Sequence, residues 1–191
     1  MTDQEIIQGL KNRDEKTFRE FVDKYQHMVI NVSNNFVHNK EDAMDIAQEV
    51  FIKVYDSVKS FREQSRLSTW LYKIAVNKSL NYIRAKKRRN IFTSLDLIFE
   101  NKNHNPVENM ADDQEISQEK MESEERKNLL IKAIDELPEK QKTALTLNKF
   151  EDLPYKEIAT IMDISVTETG VLINRAKNKL QKKLVEYFKK Y

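Results

Sequence analysis

The sequence predicts an all-α fold: two small helical domains joined by a flexible acidic linker. Three observations predict it. Turn formers are scarce, with two Gly and three Pro among 191 residues, whereas β-hairpins depend on such residues at their turns. Apolar residues recur at helical spacing on both sides of the chain centre. Between them lies a stretch with few large apolar residues. Only 39% of residues are hydrophobic and 34% are charged, a balance that suits small, surface-rich units better than one large core. The domains are placed at 1–90 and 125–191, with the linker at 91–124.

The N-terminal domain reads as four helices. A short one covers about 4–11. Asp14 is a candidate N-cap for a second, whose stripe is Phe18, Phe21, Val22, Tyr25, Val29 and Val32. Asn39 caps a third, and Glu41 and Asp42 put negative charge in its first turn, where the helix dipole favours it. Its stripe is Ala43, Ile46, Ala47, Val50, Phe51, Val54, Tyr55 and Val58. A fourth helix runs from about 68 to 88. The linker holds Asn-Lys-Asn-His-Asn-Pro and then scattered acids, a composition that predicts partial disorder with some helix at its C-terminal end.

Four helical signals follow in the C-terminal domain. Leu129, Leu130, Ala133, Ile134 and Leu137 mark the first; Pro138 and Pro154 start the next two, as Pro does well in a first turn. Ser165-Val166-Thr167-Glu168 is a capping box opening a long last helix. Helix, short turn and capped helix make a helix-turn-helix pattern.

Net charge is +2 but unevenly spread. Residues 1–90 carry 17 Lys/Arg against 12 Asp/Glu, residues 91–128 carry 4 against 10, and residues 129–191 carry 12 against 9. Two basic ends flank an acidic middle. The absence of Cys excludes disulfides, zinc knuckles and thiol catalysis. No apolar run approaches the ~18 residues of a membrane span, and the polar start lacks the order of a secretion signal, so a cytoplasmic protein without membrane insertion is expected. His27, His38 and His104 are scattered, and no Gly-rich phosphate loop is present. No catalytic residue, metal or cofactor is implied.

On the last helix, Ile173 at the core centre brings Val166, Thr169, Ala176, Leu180 and Leu184 to the same side. The outward side then shows Thr167, Val171, Asn174, Arg175 and Asn178, with Lys182 further along. Guanidinium, amide and methyl-bearing groups are those that read base edges in a major groove; a solvated charged face is the plainer alternative. On the fourth helix, Trp70, Lys73, Asn77, Asn81, Arg84 and Arg88 line one face. An aromatic, amides and cations in one stripe suit a strand with accessible bases, although Trp70 can equally be core. Asp45, Gln48, Glu49 and Ile52 form an acidic face beside an apolar residue in an otherwise basic half; it repels DNA and suits a protein partner.

Residues 42–51, Asp-Ala-Met-Asp-Ile-Ala-Gln-Glu-Val-Phe, resemble the polymerase-binding helix of extracytoplasmic-function sigma factors of bacterial RNA polymerase. Residues 68–77, Ser-Thr-Trp-Leu-Tyr-Lys-Ile-Ala-Val-Asn, resemble their promoter-melting and −10 segment. Leu137-Pro138-Glu139-Lys140-Gln141 and Tyr155-Lys156-Glu157-Ile158-Ala159 resemble their −35-binding domain, in wording similar to Bacteroidetes members. The resemblance covers nearly all of the chain outside the linker, with the motifs in the family's order. It implies that Asp45, Gln48 and Glu49 dock on core polymerase, and that the loop from Phe61 and Arg62 to Arg66 holds a flipped −10 base. It places Asn77, Asn81 and Arg84 along the displaced strand and Gly170, Val171, Asn174 and Arg175 at the −35 reading positions. It also implies an anti-sigma factor as inhibitory partner and a linker that threads near the RNA exit path. Thr169 and Gly170 depart from the family, which has an apolar core residue and a longer polar or charged one there; a Gly inside a helix costs about 1 kcal/mol relative to Ala and offers no side chain to a base, so either the backbone approaches DNA closely or −35 readout is weak or shape-based. Two other readings are an operator-binding dimer without polymerase and a DNA-processing enzyme using Asp42, Asp45 and Glu49.

Overall fold

The computed structural model describes residues 1–99 and 118–188. Eight α-helices are found among them. The N-terminal domain holds α1 (Asp3–Lys11), α2 (Glu15–Val37), α3 (Lys40–Ser57) and α4 (Leu67–Phe99), with a single 3-10 turn, Val58–Ser60, after α3. The C-terminal domain holds α5 (Gln118–Asp135), α6 (Glu139–Lys149), α7 (Tyr155–Met162) and α8 (Val166–Phe188).

Helix starts follow from side-chain caps. The Asp14 carboxylate accepts from the Thr17 N–H at 2.7 Å and the Thr17 hydroxyl at 2.5 Å, and Asn39 Oδ1 accepts from the Asp42 N–H at 2.9 Å. Both caps satisfy N–H groups that the helix leaves without partners. Thr2 and Glu5 add a full capping box on α1, present in the sequence as Thr-x-x-Glu but not expected above. The close approach of α1 to α2 requires Gly9: a methyl there would overlap the Thr17 side chain.

The N-terminal core is filled by Phe21, Val29, Val32 and Phe36 of α2, Val50 and Val54 of α3, and Leu67 and Leu71 of α4. The C-terminal core is built on Leu147, Ile158, Ile173 and Ala176. Asp163 makes the turn of the helix-turn-helix in the left-handed region, φ 53° and ψ 47°, with its N–H bonded to the Ala159 carbonyl. Asp is one of the few non-Gly residues that visit this region.

Two expectations change. The fourth helix, expected to end near residue 88, continues as α4 to Phe99, while α5 begins at Gln118, in the C-terminal end of the linker where some helix is expected; residues 100–117 lie outside the described residues. Val166, expected on the core side of α8, is 48% exposed. As the first residue of α8 it precedes the turns that α6 and α7 cover.

The two domains pack on each other. Tyr72 of α4 donates from its hydroxyl to Glu151 at 3.0 Å, and the Asn35 amide donates to the same carboxylate at 2.8 Å. The buried Lys142 ammonium donates to the Phe36 carbonyl at 3.3 Å and to Asp135 at 2.5 Å. His38 Nε2 lies 3.2 Å from the same Asp135.

Candidate polymerase and nucleic-acid interfaces

Three surfaces carry the expected residues. On α3, Asp45, Gln48, Glu49 and Ile52 are all exposed. Ile52 is 62% exposed, which leaves a large apolar side chain in water beside two carboxylates. Met44 extends this strip, four residues before Gln48 and also exposed; its helical spacing could have flagged it. Glu49 is tied back to α4 by Lys78 at 2.8 Å. Asp42, one turn earlier, faces α4 instead. The Tyr82 hydroxyl and then the Lys86 ammonium hold its carboxyl below the ordinary value of 3.8, with Lys86 at 2.9 Å. Asp42 therefore orients α3 on α4 and is not part of the exposed acidic strip.

On α4, the stripe divides by burial. Asn77, Asn81, Arg84 and Arg88 are exposed, and Trp70 and Lys73 are half-buried. Asn81, Arg84, Lys87 and Arg88 line an open groove of about 550 Å³, with Arg84 Nη1 donating to Asn81 at 3.1 Å. Phe61 corrects the expectation for the preceding loop. It is only 7% exposed, because its ring stacks under Trp70 with centroids 4.6 Å apart and planes at 26°. Phe61 thus props Trp70 from the core side, while its neighbour Arg62 is exposed.

Two cations of the stripe are already engaged. Lys73 donates to both Asp163 oxygens at 2.6 Å. Arg84 donates through Nε to Glu139 at 2.9 Å and through Nη2 to the other oxygen of the same carboxylate. Both acids belong to the C-terminal domain. Sequence reading could not find these pairs, because the partners are 90 and 55 residues apart.

On α8, the outward face is as expected. Thr167, Val171, Asn174, Arg175, Asn178 and Lys182 are exposed, and Gly170 is half-buried among them. Thr169, Ile173 and Ala176 are fully buried on the opposite side. The Ser165 hydroxyl accepts from the Glu168 N–H at 3.0 Å, while the Glu168 carboxylate turns to Lys140 at 3.8 Å. Half of the capping box is therefore made, and the other half is exchanged for a contact with α6. A methyl at Gly170 would meet the Tyr155 ring at 3.5 Å, an ordinary contact.

Two family models match, in this order. The model of sigma-70 region 2 matches residues 21–89, and that of sigma-70 region 4 matches residues 127–180. The chain is 36% identical over 184 residues to the ECF RNA polymerase sigma-E factor of Haemophilus influenzae, covering 96% of each protein. The chain is a sigma factor of the extracytoplasmic-function group. The sigma-E factor of Escherichia coli strain K12 is 37% identical over 189 residues, with 96% of this chain and 95% of that protein covered. At the level of fold, the sigma factor is similar to CnrH, solved in complex with the cytosolic domain of CnrY. That match has a TM-score of 0.66 and 14% identity, and covers 96% of this chain and 97% of the other. Region 2 spans most of α2, α3 and most of α4, and region 4 spans part of α5, α6, α7 and most of α8, so the candidate stripes on α4 and α8 lie inside the matched segments except for Lys182. As a sigma factor, the protein is a regulatory DNA-binding protein of transcription initiation. No described helix is long and apolar enough to cross a membrane.

Proposed function

We propose that the three surfaces divide the work of initiation between them. The α3 strip of Asp45, Gln48, Glu49 and Ile52, extended by Met44, docks on core RNA polymerase. Carboxylates around an exposed apolar residue favour a basic protein surface with an apolar centre. The α4 stripe takes the −10 strand after melting. The Trp70 face is available for stacking, Asn77 and Asn81 present amides to base edges, and Lys73, Arg84 and Arg88 neutralise phosphates. Arg62 stands beside the position a flipped base would take, and Phe61 holds the indole plane from below. Flipping one base costs a few kcal/mol, and stacking of about 1–3 kcal/mol per base offsets it. The α8 face reads the −35 element as duplex, with Arg175 suited to guanine, Asn174 to adenine and Val171 to a thymine methyl.

The observation that supports this division is that one chain carries an aromatic, amide and cation stripe on α4 in region 2 and an exposed Val171, Asn174, Arg175 and Asn178 face on α8 in region 4. Joining two weak readers raises the effective concentration of the second once the first is bound. The protein acts without catalytic residues or a cofactor of its own, in the cytoplasm. An anti-sigma factor holds it when it is not needed; solved relatives include the sigma factor RpoE of Bartonella quintana in complex with the anti-sigma factor NepR. Run-off transcription with core polymerase on genomic DNA tests the reading. Discrete transcripts that depend on the chain are expected, and transcription no more selective than core alone would refute it.

A further inference from the structure

We propose that Lys11, the last residue of α1, positions the loop 61–66 and thereby sets how strictly the flipped −10 base is selected; this rests on the −10 reading above. The Lys11 ammonium donates to Glu63 Oε1 at 2.7 Å, across 52 residues of chain. Glu63 lies in the middle of the loop with its backbone in the left-handed region, φ 56°. Residues other than Gly seldom hold that conformation without support from their surroundings. The loop is anchored at its start by the stack of Phe61 on Trp70, and just past its end by Leu67, which is buried as the first residue of α4. Between these anchors it is tied at Glu63 to α1 and at Arg66 to Glu157 of the C-terminal domain. The tie at Arg66 depends on how the two domains sit. The tie at Glu63 lies within the N-terminal domain and goes wherever that domain goes.

α1 is a firm base for this tie. Ile6, Ile7 and Leu10 are buried, Gly9 lets the helix sit close on Thr17, and α1 packs on the Val58–Ser60 turn that leads into the loop. The match to region 2 begins at residue 21, so Lys11 acts on the loop from outside the matched segment. A lysine in the last turn of a helix is favoured by the dipole alone. What distinguishes Lys11 is the charge it takes up. Glu63 follows Arg62 and precedes Arg66 in a loop that must accept a strand of phosphates. A free carboxylate there would repel the strand and compete for both guanidiniums; held by Lys11, it does neither. The two side chains are 27% and 46% exposed, and such pairs are weak. A weak pair cannot hold a domain together, but it can shift a short loop between conformations close in free energy.

The test uses holoenzyme made from the full chain and core polymerase. The templates are a promoter selected by that holoenzyme from random sequence and its variants with each other base at the flipped −10 position. The readout is the ratio of open-complex rates between the best and the worst base. Lys11→Met keeps most of the stem, removes the charge and should lower that ratio several-fold. Lys11→Glu alone should lower it too, and joining it to Glu63→Lys restores an opposite-charge pair and should recover most of the loss. An unchanged ratio in Lys11→Met would overturn the proposal. So would equal slowing on every template, which marks a merely structural tie, or a double variant no better than Lys11→Glu alone. Trp70→Ala tells the two readings apart. A ratio that falls in Trp70→Ala but holds in Lys11→Met refutes the role of Lys11 and leaves the −10 reading standing. A ratio that holds in both refutes the −10 reading and the proposal with it.

Discussion

At the scale of single residues, chemistry was legible wherever a side chain acts on its own helix. Asp14 and Asn39 are caps because short polar side chains compete well for free N–H groups, and both make those bonds. Phe61 was not legible. Whether an aromatic in a loop meets DNA or the core depends on what packs beside it, and the Trp70 ring settles that in space. Phe61→Ala removes a buried ring and should destabilise the N-terminal domain by about 3–5 kcal/mol in urea melts. A loss under 1 kcal/mol would mean the stack is not a structural support. Gly170 lies inside α8, and a methyl there meets only the Tyr155 ring at ordinary contact distance. Gly170→Ala should therefore raise stability by about 1 kcal/mol, read as a shifted denaturation midpoint of the full chain. A destabilised variant would show that the ring cannot accept the methyl.

At the scale of elements, apolar period placed α2, α3, α5 and α8, and prolines marked the starts of α6 and α7, but helix ends drifted. The expected end of α4 near residue 88 follows its apolar and stripe residues, whereas the helix runs on to Phe99; hydrogen bonding along a helix can continue past the last packed side chain. On α8 the inward and outward faces were legible from spacing alone, with Val166 misplaced because only later turns are covered. The α3–α4 contact has a pH signature. Asp42 and Asp14 both sit below the ordinary 3.8, through hydrogen bonds from Tyr82 and Thr17 respectively. A carboxyl whose folded pKa lies below its unfolded one adds stability that is complete above the unfolded value and is lost as pH falls through the folded one. Stability of the N-terminal domain should hold to just above pH 3.8 and fall below it. In Asp42→Asn that loss should shrink, measured by circular dichroism melts across the acid range. An acid profile identical to wild type would remove Asp42 from the account.

At the scale of the whole molecule, the sequence shows two basic domains and an acidic centre, and the family regions fall on them in order. What it conceals is the interdomain contact, because Tyr72–Glu151 and Asn35–Glu151 join residues 79 and 116 apart with no periodic signal. Asp135 marks this contact. Burial works against its charge, but hydrogen bonds from His38 and Lys142 prevail and hold its carboxyl below 3.8. The central claim is that region 2 captures unwound −10 DNA on the Trp70–Asn77 stripe. Permanganate footprinting of thymines in complexes of core polymerase with wild-type chain or with Trp70→Ala/Asn77→Ala tests it most directly. The account predicts that the double variant still binds core and promoter duplex but leaves the −10 thymines unreactive. Reactivity equal to wild type, with binding intact, would contradict it.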